Sequence, residues 1–218
     1  MAPERIHHPE YEPAGPKVLF LAHTDFVHKR RNPQERQMWF EKDGLVAGVL
    51  DAMGPAAILF SGWGELTQNG ALLHKIHFSG DEETTQGDAK KLARWIKLNY
   101  PAPTGKSHDY HDDASWLPTV VVLEATGLST DADVSFENLA FVDSRRIVRA
   151  MSQVPDIDYV IHPRGTCSDA YRFAEAHIPC LEMCIPVVGN FHTRRATMRP
   201  AQITKFRRAI LAIDKEFS

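Results

Sequence analysis

Long hydrophobic runs are missing from this 218-residue chain. No stretch reaches the roughly 18 consecutive apolar residues of a membrane-spanning helix, so no membrane partner is expected. Cysteine is scarce. Cys167, Cys180 and Cys184 are odd in number and contain no CxxC pair, so neither a disulfide framework nor a thiolate zinc site is expected. The three thiols read instead as small core residues in a reducing, cytoplasmic setting. An excess of positive charge is also lacking: Lys and Arg number 25 against 28 Asp and Glu, a formal net charge of −3. That balance supplies no general field for nucleic acid or acidic lipid. The opening MAPERIHHPEYEPAGP carries charges and prolines where a signal peptide needs an apolar core. No internal repeat is present.

What is there suits a globular protein, with 43% hydrophobic and 24% charged residues. Residues 1–16 read as a surface arm and 17–218 as one folded domain. Val18-Leu19-Phe20-Leu21-Ala22 is a short apolar run of the kind buried on both faces of a parallel sheet. Further strands are expected at 74–79, at Thr119 to Leu123 with Glu124 at its end, at Tyr159-Val160-Ile161, and last at Cys180 to Ile185. Ala89, Leu92, Ala93 and Ile96 have helical spacing. Other helices are expected over 56–60, 144–152 and 168–177, and from Pro200 with Ile203, Phe206, Ile210, Ile213 and Phe217 facing inward. Strands alternating with helices predict an α/β fold: a three-layer α/β/α sandwich around a mostly parallel mixed sheet.

Such sheets gather their sites at the carboxyl ends of the strands. Histidine is plentiful, at eleven residues, and recurs near acidic residues. His23 and Asp25 are spaced i and i+2, on one face if strand geometry persists, where the aspartate could orient the imidazole through its other nitrogen. The pair equally suits a strand-end histidine with a capping aspartate. The adjacent carboxylates Glu82 and Glu83 repel unless a cation or solvent separates them, although they also suit a solvated first helical turn. Asp51 has the position of a helix cap. Glu124 follows Val120-Val121-Val122-Leu123, where a buried carboxylate requires a cation or donors. With His192 in the turn-rich GNFHT, two histidines (His23, His192) and four carboxylates (Asp51, Glu82, Glu83, Glu124) make a ligand set for two divalent metals.

The ordered set HTD, LDAMGPAA, GDEE, VVLEATG and GTCSDAYRFAEAHIPCLEMCIPVVGNFHT resembles the co-catalytic di-zinc exopeptidases. It is most similar to their deblocking and glutamyl aminopeptidase branch, without that branch's inserted domain, since the interval from His23 to Asp51 is too short to hold it. The resemblance runs from about residue 17 to the end. It implies a metallohydrolase domain in which Asp51 bridges two metals, Glu83 and His192 complete one, and His23 and Glu124 complete the other. Glu82 would be the general base and Asp25 the group that orients His23. Zinc is the metal the family implies, with cobalt and manganese compatible with the same donors. The expected activity is hydrolysis of an amide bond in a small molecule or short peptide by aminopeptidase-like chemistry. A non-peptide amide, amine or acyl substrate, or a metal-binding module without turnover, are the alternatives. Ala52 departs from the acidic residue that often follows the bridging aspartate.

His162 and Arg164, at the end of an expected strand, could contact a substrate carboxylate or carbonyl, or belong to an ordinary turn. His28, His77, His108 and His111 are weaker rivals as ligands, the last two in an acidic loop. Trp63, Trp116, Phe136 and Phe141 could anchor a homo-oligomer, although scattered aromatics also serve as core or plain surface.

Overall fold

The computed structural model describes residues 16–23, 40–48, 75–80, 85–102, 116–128, 130–162, 168–189 and 196–218. The expected helix at 56–60, Cys167, Trp63, His28, His108 and His111 lie outside them, as does the expected arm apart from Pro16. Nine strands and four helices are formed by the described residues: β1 Val18–His23, β2 Phe40–Lys42, β3 Leu45–Gly48, β4 Ile76–Ser79, α1 Gly87–Asn99, β5 Thr119–Thr126, β6 Val134–Ala140, α2 Ser144–Met151, β7 Tyr159–Ile161, α3 Ala170–Glu175, β8 Cys180–Pro186, β9 Ala196–Met198 and α4 Pro200–Phe217. None of these helices is long and apolar enough to cross a membrane.

Six strands form one sheet in the order β4-β1-β5-β8-β6-β7. The first four run parallel. β6 is antiparallel to β8, and β7 runs with β6, so the sheet is mostly parallel and mixed, the expected α/β fold. Alternation along the strands divides the core. Val18, Phe20 and Ala22 pack on one face with Phe136, Leu181 and the apolar side of α4, while Leu19 and Leu21 pack on the other with Ala89, Leu92, Ile96 and Phe173. Helices α2 and α4 therefore cover one face and α1 and α3 the other, which is the three-layer arrangement.

The helices form where their periods predict. Ala89, Leu92, Ala93 and Ile96 are the buried residues of α1. In α4, Phe206, Ile210, Ile213 and Phe217 are buried, with Ile203 packed beside them. Pro200 opens that helix, where a missing N–H costs nothing. Buried Gln202 holds its start: its Oε1 accepts from the Arg199 N–H at 2.8 Å, and its Nε2 donates to the carbonyls of Ala132 and Pro186 at 3.1 and 3.2 Å.

Four expectations need correction. Glu124 does not end its strand but lies inside β5, which continues to Thr126. β8 is not the last strand, because β9 follows it and completes a second sheet in the order β2-β3-β9. The hairpin joining β2 to β3 sits in a stretch without apolar periodicity; Asp43 and Gly44 both take positive φ, 53° and 74°, as a two-residue hairpin turn requires. β6 was hidden because its second face is polar yet buried: Ser135 and Glu137 are each 0% exposed. That strand also makes Phe136 a core residue at 0% exposure rather than an interface anchor, while Phe141 is 45% exposed.

Candidate functional site

Register builds a polar row across the sheet. Ser79 of β4 pairs with His23 of β1, and Ala22 pairs with Leu123, so the next step along both strands sets His23 beside Glu124. Glu124 pairs with Cys184 of β8, and Cys184 with Ser135 of β6. All five project to the face that carries Leu19 and Leu21, because partners in register point the same way. His23 Nε2 lies 3.0 Å from Glu124 Oε2, with the two residues only 1% and 7% exposed. Residues 101 apart in sequence thus form one buried imidazole–carboxylate pair near the carboxyl edge of the parallel strands. The second Glu124 oxygen, Oε1, takes no hydrogen bond. An imidazole nitrogen and a carboxylate with one uncommitted oxygen are a donor set that fits a divalent metal.

Asp25, Asp51, Glu82, Glu83, Arg164 and His192 lie outside the described residues, but several flanking residues are described. Gly80 follows the register partner of His23, and its N–H donates to Asp88 Oδ2 in the first turn of α1 at 3.1 Å. Beyond β8, Val188 and Thr197 exchange N–H to carbonyl bonds of 2.9 Å each. Gly48 at the end of β3 pairs with Ala196 at the start of β9. His162 is described, and it is not brought to the His23–Glu124 pair. It follows β7, whose direction opposes that of β1 and β5, and its N–H donates to the Phe136 carbonyl at 2.8 Å. Three strand spacings separate β7 from β5, roughly 14 Å.

One strand row below Glu124 lies a group that sequence reasoning missed. Glu182 of β8 and Glu137 of β6 are register partners, both 0% exposed, and a ligand atom from each comes within 4.8 Å of the other and of Cys184 Sγ. Ser135 Oγ donates to Glu137 Oε1 at 2.9 Å. Glu182 Oε1 accepts from Asn138 Nδ2 at 2.7 Å and from Ser168 Oγ. Burial pushes the Glu182 carboxyl up to about 7; the Ser168 and Asn138 hydrogen bonds oppose that rise, and the charges of Glu124 and Glu137 add to it. The Cys184 thiol is likewise held well above its ordinary range, first by burial and then by Glu137, Glu182 and Glu124. The three side chains could hold a metal ion. No CxxC spacing announces them, since the ligands come from two strands; the only signal was a pair of charged residues, in SFEN and CLEMC, inside otherwise strand-like segments.

No protein-family model matches the chain, and no curated protein matches it. Solved structures do. PhTET1-12s, a dodecamer in its asymmetric unit, matches with a TM-score of 0.55 at 15% identity, over 81% of this chain and 53% of that one. A crystal structure of a candidate peptidase/endoglucanase matches with a TM-score of 0.55 at 13% identity, also over 81% and 53% of the two chains. The likeness is one of fold, and this chain spans about half the length of the structures it matches.

Proposed function

We propose that the chain is a metal-dependent hydrolase of an amide bond in a small molecule or short peptide, built as a co-catalytic di-zinc exopeptidase of the deblocking and glutamyl aminopeptidase kind. The observation that carries the reading is the buried His23–Glu124 pair at 3.0 Å near the carboxyl edge of a parallel sheet. The flanking residues support the rest. Asp25 follows His23 by two residues, and Glu82 and Glu83 follow Gly80, next to the register partner of His23. Asp51 is three residues beyond Gly48 and His192 four before Ala196, and those two residues are paired, so both segments leave the small sheet at the same end. The fold shared with a candidate peptidase/endoglucanase agrees with this class.

In this reading His23 and Glu124 would hold one metal, Glu83 and His192 the other, and Asp51 would serve both; zinc suits these donors, as do cobalt and manganese. Two bound divalent ions supply a water of lowered pKa and polarisation of the scissile carbonyl. Glu82 accepts the water's proton and returns it to the leaving amine. Asp25 holds the His23 ring in orientation. Residues 17–218 act as the catalytic domain, Arg164 meets a substrate carboxylate or carbonyl, and the copies assemble as a homo-oligomer in the cytoplasm. PhTET1-12s, with a similar fold, is a dodecamer.

Glu82→Gln tests the mechanism. With metal content read by elemental analysis, the variant should retain its metals and lose roughly 10²- to 10⁴-fold in turnover on aminoacyl amides. Unchanged turnover would remove Glu82 from the chemistry. Wild type with metal but no turnover on any peptide or other small amide would leave a binding module.

A further inference from the structure

The buried group on β6 and β8 has a chemistry that the proposed hydrolase does not use. Glu137 and Glu182 are both inaccessible to solvent, and each has one oxygen committed to neutral donors. Their other oxygens, Glu137 Oε2 and Glu182 Oε2, are buried and take no hydrogen bond. Neither carboxylate has an ion pair with Lys, Arg or His among the described residues. Two buried carboxylates that face each other without a counter-charge are strongly unfavourable. A third side chain closes the group: Cys184 Sγ, from a residue 1% exposed, lies within the same 4.8 Å as a ligand atom of each glutamate.

Two hard oxygens and one soft sulfur within 4.8 Å of one another suit a borderline divalent cation, zinc above all. Magnesium or calcium would have no use for the thiol. The supporting hydrogen bonds have the form that metal sites use: Asn138 and Ser168 fix one oxygen of Glu182, and Ser135 fixes one of Glu137, leaving the second oxygen of each uncommitted. We propose that Glu137, Glu182 and Cys184 form a buried zinc-type site that clips β6 to β8, in addition to the metal positions proposed at the sheet edge. The clip lies where the sheet changes from parallel to antiparallel and where the β6–β8 register shifts between Glu137 and Ala140. Those strands have no covalent tie there, so a shared ion would secure a junction otherwise held by backbone hydrogen bonds and packing. Binding releases the thiol proton, so affinity rises with pH.

Cobalt(II) alone, added to full-length chelator-stripped protein, is the probe. A thiolate ligand produces a near-ultraviolet sulfur-to-cobalt charge-transfer band, which the nitrogen and oxygen donors proposed at the sheet edge do not produce. Expected is a band whose saturating amplitude corresponds to one thiolate-bound cobalt per chain, that disappears in Cys184→Ala, and that persists in Cys180→Ala, Cys167→Ala and His23→Ala. Glu137→Gln should weaken the affinity read from that band by more than roughly tenfold. No band in wild type, or one that survives in Cys184→Ala, overturns the proposal. The wild-type band decides the matter even if a variant fails to fold, and loss of turnover in Glu82→Gln is independent of it.

Discussion

Glu182→Gln in metal-free protein should stabilise the fold at alkaline pH and leave it unchanged in mild acid. The folded chain holds this carboxyl at about 7 against an ordinary 4.5, burial being the largest cause. Between those values the folded form keeps a proton that the unfolded chain has released, so stability is full below about 4.5 and is lost as pH rises through about 7. At about 1.4 kcal/mol per pH unit, the ionised glutamate costs about 3 kcal/mol by pH 8. Glutamine cannot ionise. Its carbonyl still accepts from Asn138 and Ser168. The assay is urea unfolding at pH 5 and pH 8 in excess chelator. The variant should match wild type within about 1 kcal/mol at pH 5 and exceed it by about 3 kcal/mol at pH 8. A variant less stable than wild type at pH 8, or a difference independent of pH, would refute the reasoning. With zinc at about a hundred times its dissociation constant, wild type should gain about 2.7 kcal/mol and the variant little, which removes most of the variant's advantage.

Other expectations concern the frame that carries these residues. Gln202→Leu removes the donor to the Pro186 carbonyl and the acceptor of the Arg199 N–H, and leaves the Ala132 carbonyl only the 3.4 Å contact from Arg199 Nη2, so urea unfolding should show a loss of about 1–3 kcal/mol with little change in m-value. Phe206→Ala empties a site at 0% exposure in the core under α4, and calorimetry should find it destabilised by about 3–5 kcal/mol. A Phe206 variant within about 1 kcal/mol of wild type would mean that the core on this face is not closely packed.

Much of the fold was legible because it depends on local periods. The run Val18 to Ala22 reads as a strand buried on both faces, and it is one. The helical spacing of Ala89, Leu92, Ala93 and Ile96 identifies the face that α1 buries. β6 resisted the same reading because its alternation sets Ser135 and Glu137 into a buried polar layer, against the rule that charged residues face water. The hairpin between β2 and β3 was missed although Asp43-Gly44 is a turn signal, because the flanking strands are short and pair only within the small sheet.

Of the expected ligands, the sequence by itself marked His23 and Glu124 through chemistry alone: a histidine at the end of an apolar run, and a carboxylate too costly to bury without a partner. That these two meet at 3.0 Å was decided only by tertiary structure, because it depends on the parallel register between β1 and β5. The Glu137–Glu182–Cys184 group is a stronger instance, with Glu137 drawn from a strand antiparallel to that of Glu182 and Cys184 and 45 and 47 residues from them. Local composition determines which face of an element is apolar, since that depends on a repeat of a few residues. Which polar side chains become neighbours is set by strand order and register, which are settled by packing across the whole sheet.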